Sequence, residues 1–366
     1  MMAALGVPVF RNVLGLPATD RLCLLVVDGL GWEQLRDHER EAPFLNELAR
    51  SCRSITTGFP STTAASVASL GTGLPPGGHG LAGYTLLLPG HSRAMNVLRW
   101  TPYGVGHAET NLLSKLDPED FQPRACVFEV AHDHKVDVLL TGPAVHEHSG
   151  LSRAVLRGGR FRVAVSPGDL AGVALGHLDG PGVRFVYAHY NELDTTGHVR
   201  GVDSPAWRLQ LSLIDRMCET LAAQLPSGAV LVITGDHGMV DLRADQRLDL
   251  DDYPALSHGV RVMAGEGRAR YLYTQHGQEQ HVLDAWRAVL GDRMWVLPRD
   301  EAVSAGWFGP DVTEAARSRL GDVVAAARPG IGIFQRSVDP GQASLVGHHG
   351  SLTPAEQLVP LLVAGR

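Results

Sequence analysis

The sequence predicts an α/β fold in which one large core of alternating strands and helices carries a small inserted α/β cap. Three observations lead there. Short apolar runs end repeatedly in acidic or imidazole side chains: Ala229–Thr234 before Asp236-His237, Leu24–Val27 before Asp28, and Phe185–Ala188 before Asp194 and His198. Stretches with helical spacing separate these runs. The length, 366 residues, suits one large core plus an insertion.

Taken in order, residues 22–27 read as the first strand, and 33–50 as a helix whose buried face is Leu35, Phe44, Leu45, Leu48 and Ala49. The turn Gly58-Phe59-Pro60-Ser61-Thr62-Thr63 then feeds a small-residue helix that ends near Gly71. Residues 73–117 are rich in Gly, Pro and His with little periodicity, the mark of substrate-binding loops. A helix over 119–133, a strand over 136–141 and a short helix near 168–176 restore the alternation. Strand 183–188, a helix over 205–224 and strand 229–234 complete a core domain over residues 1–240. A polar connector that includes the acidic run Asp249–Asp252 opens residues 241–330, the small α/β cap. Its elements are Arg270–Tyr273, a helix over 278–290 and Met294–Leu297. Residues 331–366 return to the core, with Gly347-His348-His349-Gly350 followed by an added core strand, Leu358–Val363.

Composition narrows the classes of partner. Hydrophobic residues are 44% and charged residues 19%, as in an ordinary globular chain. The net charge is −7 and the basic residues are scattered, so no stripe is available for a nucleic acid polymer. Cys23, Cys52, Cys126 and Cys218 lie far apart without C-x-x-C spacing, which reads as free thiols, most of them buried. No apolar run reaches the length of a membrane span and the N-terminal residues lack a signal core, so the expectation is a cytoplasmic protein without a membrane partner.

The chemistry sits at the strand ends. Asp28, Asp194, His198, Asp236, His237 and His349 form a mixed oxygen and nitrogen donor set, which suits zinc or another first-row divalent ion better than calcium. Six donors exceed one tetrahedral shell and fit two ions sharing an incoming oxygen, the arrangement used in phosphoryl displacement. Ser61, Thr62 and Thr63 offer hydroxyl nucleophiles at a helix N-terminus, which also favours an anionic phosphate. Ser61 and Thr62 also read as turn and N-cap residues. His348 reads as structural, His79 as either a packed histidine or a support for a ligand, and Gly71–Gly78 lacks the Gly-Lys-Ser/Thr ending of a P-loop.

Five motifs occur in one order over almost the whole chain: Asp28-Gly29; Phe59-Pro60-Ser61-Thr62-Thr63 with Thr72-Gly73-Leu74 and His79-Gly80 behind it; Asp194-x-x-Gly197-His198; Asp236-His237-Gly238; and Gly347-x-His349-Gly350. In this they resemble the alkaline phosphatase superfamily, and within it the type I phosphodiesterase and nucleotide pyrophosphatase branch. The resemblance implies an alkaline-phosphatase-like, mostly parallel sheet sandwiched by helices. It implies that Asp28, Asp236 and His237 bind one divalent ion together with the nucleophile, and that Asp194, His198 and His349 bind the second. Zinc is the expected metal, with manganese or magnesium as alternatives. The nucleophile falls on Thr63, and a phosphothreonine intermediate follows.

Departures from the branch bear on the substrate. Ala64-Ala65-Ser66 stands where nucleotide pyrophosphatases have Phe-Pro-Asn, and Tyr84 stands where they carry an asparagine that holds a phosphate oxygen. Asn96, Arg99 or Trp100 in the following loop are candidates to complete the pocket, arginine being shaped for bidentate phosphate contact. The expected activity is hydrolysis of a small phosphodiester or phosphoanhydride. Phosphomonoester or phosphonate hydrolysis are the alternatives, and a non-catalytic, metal-stabilised binding protein is the alternative of another class. No Cys/Ser-x-Pro-x-Arg sequence supports sulfatase chemistry, and no Gly-x-Ser-x-Gly elbow supports a Ser-His-Asp hydrolase.

Overall fold

The computed structural model describes residues 1–106 and 110–365. Its centre is a sheet built from β1 (Arg21–Val27), β2 (Arg53–Thr56), β3 (Asp137–Gly142), β4 (Arg160–Val163), β5 (Arg184–Tyr190), β6 (Val230–Thr234) and a last strand, Leu358–Gly365. From edge to edge the order is β2, the last strand, β6, β1, β5, β3 and β4. All neighbouring pairs from β6 to β4 are parallel, and only the last strand runs against the rest, pairing with β6 and β2. The mostly parallel α/β sheet expected from the sequence is therefore present, with the C-terminal strand added antiparallel between β6 and β2.

Because both faces of such a sheet are covered, its strands are apolar throughout, and alternate residues enter different cores. Leu22, Leu24 and Val26 of β1 pack on one side, and Cys23, Leu25 and Val27 on the other. The helices that cover the sheet are α1 (Trp32–Asp37), α2 (Pro43–Ser51), α3 (Thr63–Thr72), α4 (Pro167–Leu178), α5 (Glu192–Arg200) and α6 (Pro205–Gln224). Helix α6 is the longest among the described residues. Ser204 caps it by accepting from Trp207 N, Pro205 occupies its first turn, and Trp207, Leu211, Ile214, Met217, Cys218 and Leu221 form its buried stripe.

Two expected helices are each broken into two. Residues 33–50 divide into α1 and α2 because Pro43 cannot continue a helix and instead starts the second. Residues 119–133 divide into Pro118–Phe121 and Val127–Asp133, with Pro123 between them. The stretch over 73–117 is not wholly irregular either. It holds a small antiparallel sheet of Thr85–Leu86, Met95–Asn96 and Thr101–Pro102, while residues 107–109 lie outside the described residues.

The inserted region forms a four-stranded antiparallel sheet of β7 (Val260–Glu266), β8 (Ala269–Thr274), β9 (Met294–Pro298) and β10 (Val323–Ala327), ordered β7, β8, β10, β9. Helix α7 (Glu279–Leu290) packs on it through Val282, Leu283, Trp286 and Leu290, giving this sheet a core of its own. The last core strand, Leu358–Gly365, is β11. No described helix is long and apolar enough to cross a membrane.

Candidate active site

The central strands β6, β1 and β5 are adjacent, so their carboxyl ends open onto one crevice, where parallel α/β sheets place their ligands. Asp28 follows β1 directly, Asp236 and His237 follow β6, and β5 leads into α5, whose Asp194 and His198 lie one turn apart on the same helix face. Gly235 is obligatory in this arrangement, because a Cβ there would lie 2.2 Å from Leu30 O. His349 comes from the C-terminal return, which meets the turn before Thr63 through Ser61 N donating to Gly350 O at 3.1 Å.

Three histidines share one device. His198 Nδ1 donates to Gly347 O at 2.7 Å, His237 Nδ1 to Gly238 O at 3.0 Å, and His349 Nδ1 to Ser61 O at 2.8 Å. A carbonyl oxygen only accepts, so each Nδ1 carries a proton and each Nε2 points inward, where it offers a lone pair when it carries none. Those Nε2 atoms face carboxylates. His198 Nε2 is 3.4 Å from Asp194 Oδ1, and His237 Nε2 is 3.4 Å from Asp28 Oδ1 and 3.6 Å from Asp236 Oδ2. The rings of His237 and His349 stack with centroids 3.6 Å apart.

The carboxylates are equally unsatisfied. Asp236 Oδ1 accepts from Gly29 N and His237 N, but its buried Oδ2 has no hydrogen-bond partner, and neither does Asp194 Oδ1. Burial, with the Asp236 and Asp194 charges added, pushes Asp28 well above the usual carboxylate range. Burial, with His237 and His198 beside it, holds His349 well below the usual imidazole value. Nε2 atoms facing carboxylates with orphaned oxygens between them is an arrangement that a cation completes. Two groups have donor atoms within 4.8 Å of one another: Asp194, His198 and His349, and Asp28, Asp194 and His237. Asp194 thus belongs to both, whereas the sequence reading gives it to one.

Thr63 is the first residue of α3, and its Oγ1 lies 3.2 Å from His237 Nε2 and 3.5 Å from Asp28 Oδ1. Ser61 and Thr62 face elsewhere. Ser61 Oγ donates to Ser351 O, and the Thr62 side chain makes no capping bond to the helix it precedes but meets Glu266. Beside Thr63 and Asp28 opens a cavity of about 250 Å³ walled by Val67, Leu98, Leu151 and Phe161, with Arg99 at its edge.

The remaining candidates separate. Arg99 lines this cavity, whereas Tyr84 and Asn96 line a neighbouring one of about 230 Å³, which shares only Arg99 with the first. Tyr84 N donates to Glu266 Oε2 at 2.9 Å, and Asn96 Oδ1 accepts from Arg99 N. Trp100 is fully buried, with its indole N–H on Leu116 O and its ring edge-on to Phe121, so it is a packing residue. His348 donates to Leu345 O beneath Phe334, as a structural histidine would. His79 accepts from Leu81 N and meets Ser69 Oγ, away from the cluster.

Sequence reading missed His146, Tyr187 and His189, which also line the Thr63 cavity, and Glu266 of β7, which meets Thr62 and Tyr84 N beside it. For the two on β5 a signal exists. A tyrosine and a histidine two apart in a buried strand share one face and need partners there.

The sheet, its covering helices and the acid and imidazole groups gathered at its carboxyl edge define the alkaline phosphatase class of α/β protein. Within that class the chain belongs to the type I phosphodiesterase / nucleotide pyrophosphatase family, a family of phosphoric ester hydrolases whose sequence model matches residues 22–352. Solved structures with the same fold include murine ectonucleotide pyrophosphatase / phosphodiesterase 5, at 18% identity and a TM-score of 0.71, covering 94% of this chain and 88% of that one. An inactive variant of the murine protein in complex with AMP matches at 17% identity and a TM-score of 0.70, and the human protein at 18% and 0.70, both with the same coverage.

Proposed function

We propose that this protein is a two-metal hydrolase of small phosphodiesters or phosphoanhydrides with Thr63 as its nucleophile. One observation carries the reading: three imidazole Nε2 atoms and three carboxylates, two of them buried, converge near one helix-terminal hydroxyl. Asp28, Asp236 and His237 would hold one ion with Thr63, and Asp194, His198 and His349 the other, with Asp194 near enough to serve both. Divalent ions there, zinc suiting the mixed donor set and manganese or magnesium being alternatives, would supply positive charge for the phosphoryl oxygens and activate a hydroxyl at neutral pH.

The chain's own groups do the rest. Thr63 Oγ1 forms the new bond to phosphorus as the bond to the leaving oxygen breaks, and water then cleaves the phosphothreonine and restores the hydroxyl. The N-terminus of α3 favours the anionic group in front of it. Arg99 orients the phosphate or its substituent, and the walls of Leu98, Leu151 and Phe161 accept one organic substituent. Arg99 is the only lysine or arginine among the described residues lining that cavity, which favours a singly charged diester over a doubly charged monoester. AMP bound to a structural relative makes a nucleotide ester the first substrate to try.

The test compares bis-p-nitrophenyl phosphate with p-nitrophenyl phosphate on zinc- or manganese-loaded protein, each repeated with Thr63→Ala. Diester preference and a loss of more than about a thousandfold in the variant are expected. Unchanged turnover in Thr63→Ala would remove the threonine from its role, and monoester preference would move the substrate to small phosphomonoesters.

A further inference from the structure

Two buried polar side chains at the Thr63 cavity have no part in the chemistry above. Tyr187 and His189 are 2% and 4% exposed and lie two residues apart on β5, so both project from one face of the sheet. Pairing of β1 with β5 sets Val26 opposite His189, and Asp28 N donates to Tyr190 O at 2.8 Å, which brings the Asp28 carboxylate beside the His189 ring.

His189 Nε2 lies 3.3 Å from Asp28 Oδ2, and His189 Nδ1 lies 3.3 Å from the Tyr187 hydroxyl. As a metal ligand Asp28 would be ionised and offer acceptors only, so Nε2 would carry the proton toward Asp28 and Nδ1 would accept from Tyr187. The two oxygens of Asp28 are thereby divided. Oδ1 faces Thr63 Oγ1 and His237 Nε2, and Oδ2 faces His189. His189 differs in this from the other three site histidines, whose Nδ1 atoms rest on backbone carbonyls.

From this geometry we infer that His189 is a positioning residue. Oriented by the Tyr187 hydroxyl, it holds Asp28 by Oδ2 so that Oδ1 stays aimed at the nucleophile and at the metal position that Asp28 shares with His237. Partners of this kind keep a ligand carboxylate in one orientation and raise metal affinity without touching the ion. The inference rests on the metal reading above.

The experiment titrates metal-free protein with zinc by calorimetry, with a chelating dye as competitor, for wild type, His189→Leu, His189→Gln and Tyr187→Phe. Circular dichroism reports the fold of each. Leucine removes the donor and is expected to weaken one of two zinc ions by about 10- to 100-fold. The glutamine amide restores a donor near the Nε2 position and should recover most of that loss. Tyr187→Phe, which deletes one oxygen atom, should weaken the same ion several-fold, and it tests the inference even if His189→Leu does not fold. Wild type that takes up no zinc would sink the metal reading and this inference together. Two ions in wild type with equal affinity in Tyr187→Phe, or in a folded His189→Leu, would overturn the positioning role alone. Complete loss of one ion in His189→Gln as well as in His189→Leu would make His189 a ligand instead.

Discussion

Glu266 enters the neighbourhood of Thr63 from β7, where its Oε2 accepts from Tyr84 N and its side chain packs where a Cβ on Gly350 would otherwise stand. Its Oε1 has no partner, and burial pushes its carboxyl up to about 8. Between the ordinary glutamate value and that pKa, the folded protein keeps a proton that the unfolded chain has released. Its contribution is therefore whole at low pH and is lost as pH rises toward 8, at about 1.4 kcal/mol per unit. Glu266→Gln has no such proton to lose. Urea unfolding at about pH 5, 6.5 and 8 should show the variant gaining on wild type as pH rises. A constant difference across that range would mean that the carboxyl is already ionised when folded. Residues of this sort were not readable in order along the chain. Asp28 and Asp236 announce themselves by following apolar strands, whereas nothing around Gly265-Glu266-Gly267 says which distant turn the side chain will meet.

Helix α2 shows the same contrast one level up. Its apolar face, with Leu45 and Ala49 buried, follows from helical spacing, but its N-cap position is Ala42, whose methyl group cannot accept a hydrogen bond. Asp215 of α6 supplies the cap instead, accepting from Leu45 N at 2.8 Å and Phe44 N at 3.2 Å. Asp215→Ala should cost about 1–2 kcal/mol, as loss of an N-cap does, and the shift in urea midpoint measures it. A midpoint within error of wild type would show that water replaces the carboxylate. The break at Pro43 was legible in principle, since proline is favoured at a helix start and disfavoured inside one. Helix α6, with Ser204-Pro205 at its head and one continuous apolar stripe, needed no tertiary information.

At the scale of the whole molecule, the four-stranded sheet is joined to the central one through a buried ion pair. Arg268 and Glu356, both fully buried, pair at 2.6 and 3.0 Å, and Glu356 also accepts from Ser351 N, two residues beyond His349. Ser351 O in turn receives Ser61 Oγ, so the chain that bears Thr63 and the chain that bears His349 are tied to the same ion pair. Arg268→Ala leaves a buried carboxylate without its partner and should cost about 3–5 kcal/mol in thermal or urea unfolding. Replacing both, as Arg268→Met with Glu356→Leu, should cost less than the single change, because no charge is then stranded. A double variant weaker than Arg268→Ala would instead give Glu356 the larger role, through Ser351.

Local chemistry alone pointed to the α/β class, the main core strands and the acids and imidazoles at the strand ends. Strand runs, helix periodicity and Gly-flanked acids and imidazoles are properties of neighbours in sequence, and each carries its own signal. Tertiary structure decided what depends on neighbours in space. The adjacency of β1 and β5 sets His189 against Asp28, the packing of α6 gives α2 its cap, and the approach of β7 to the turn before Thr63 buries Glu266. These contacts join residues that lie far apart in the chain, and a side chain's partner at that range is fixed by sheet order and packing, which no local pattern encodes.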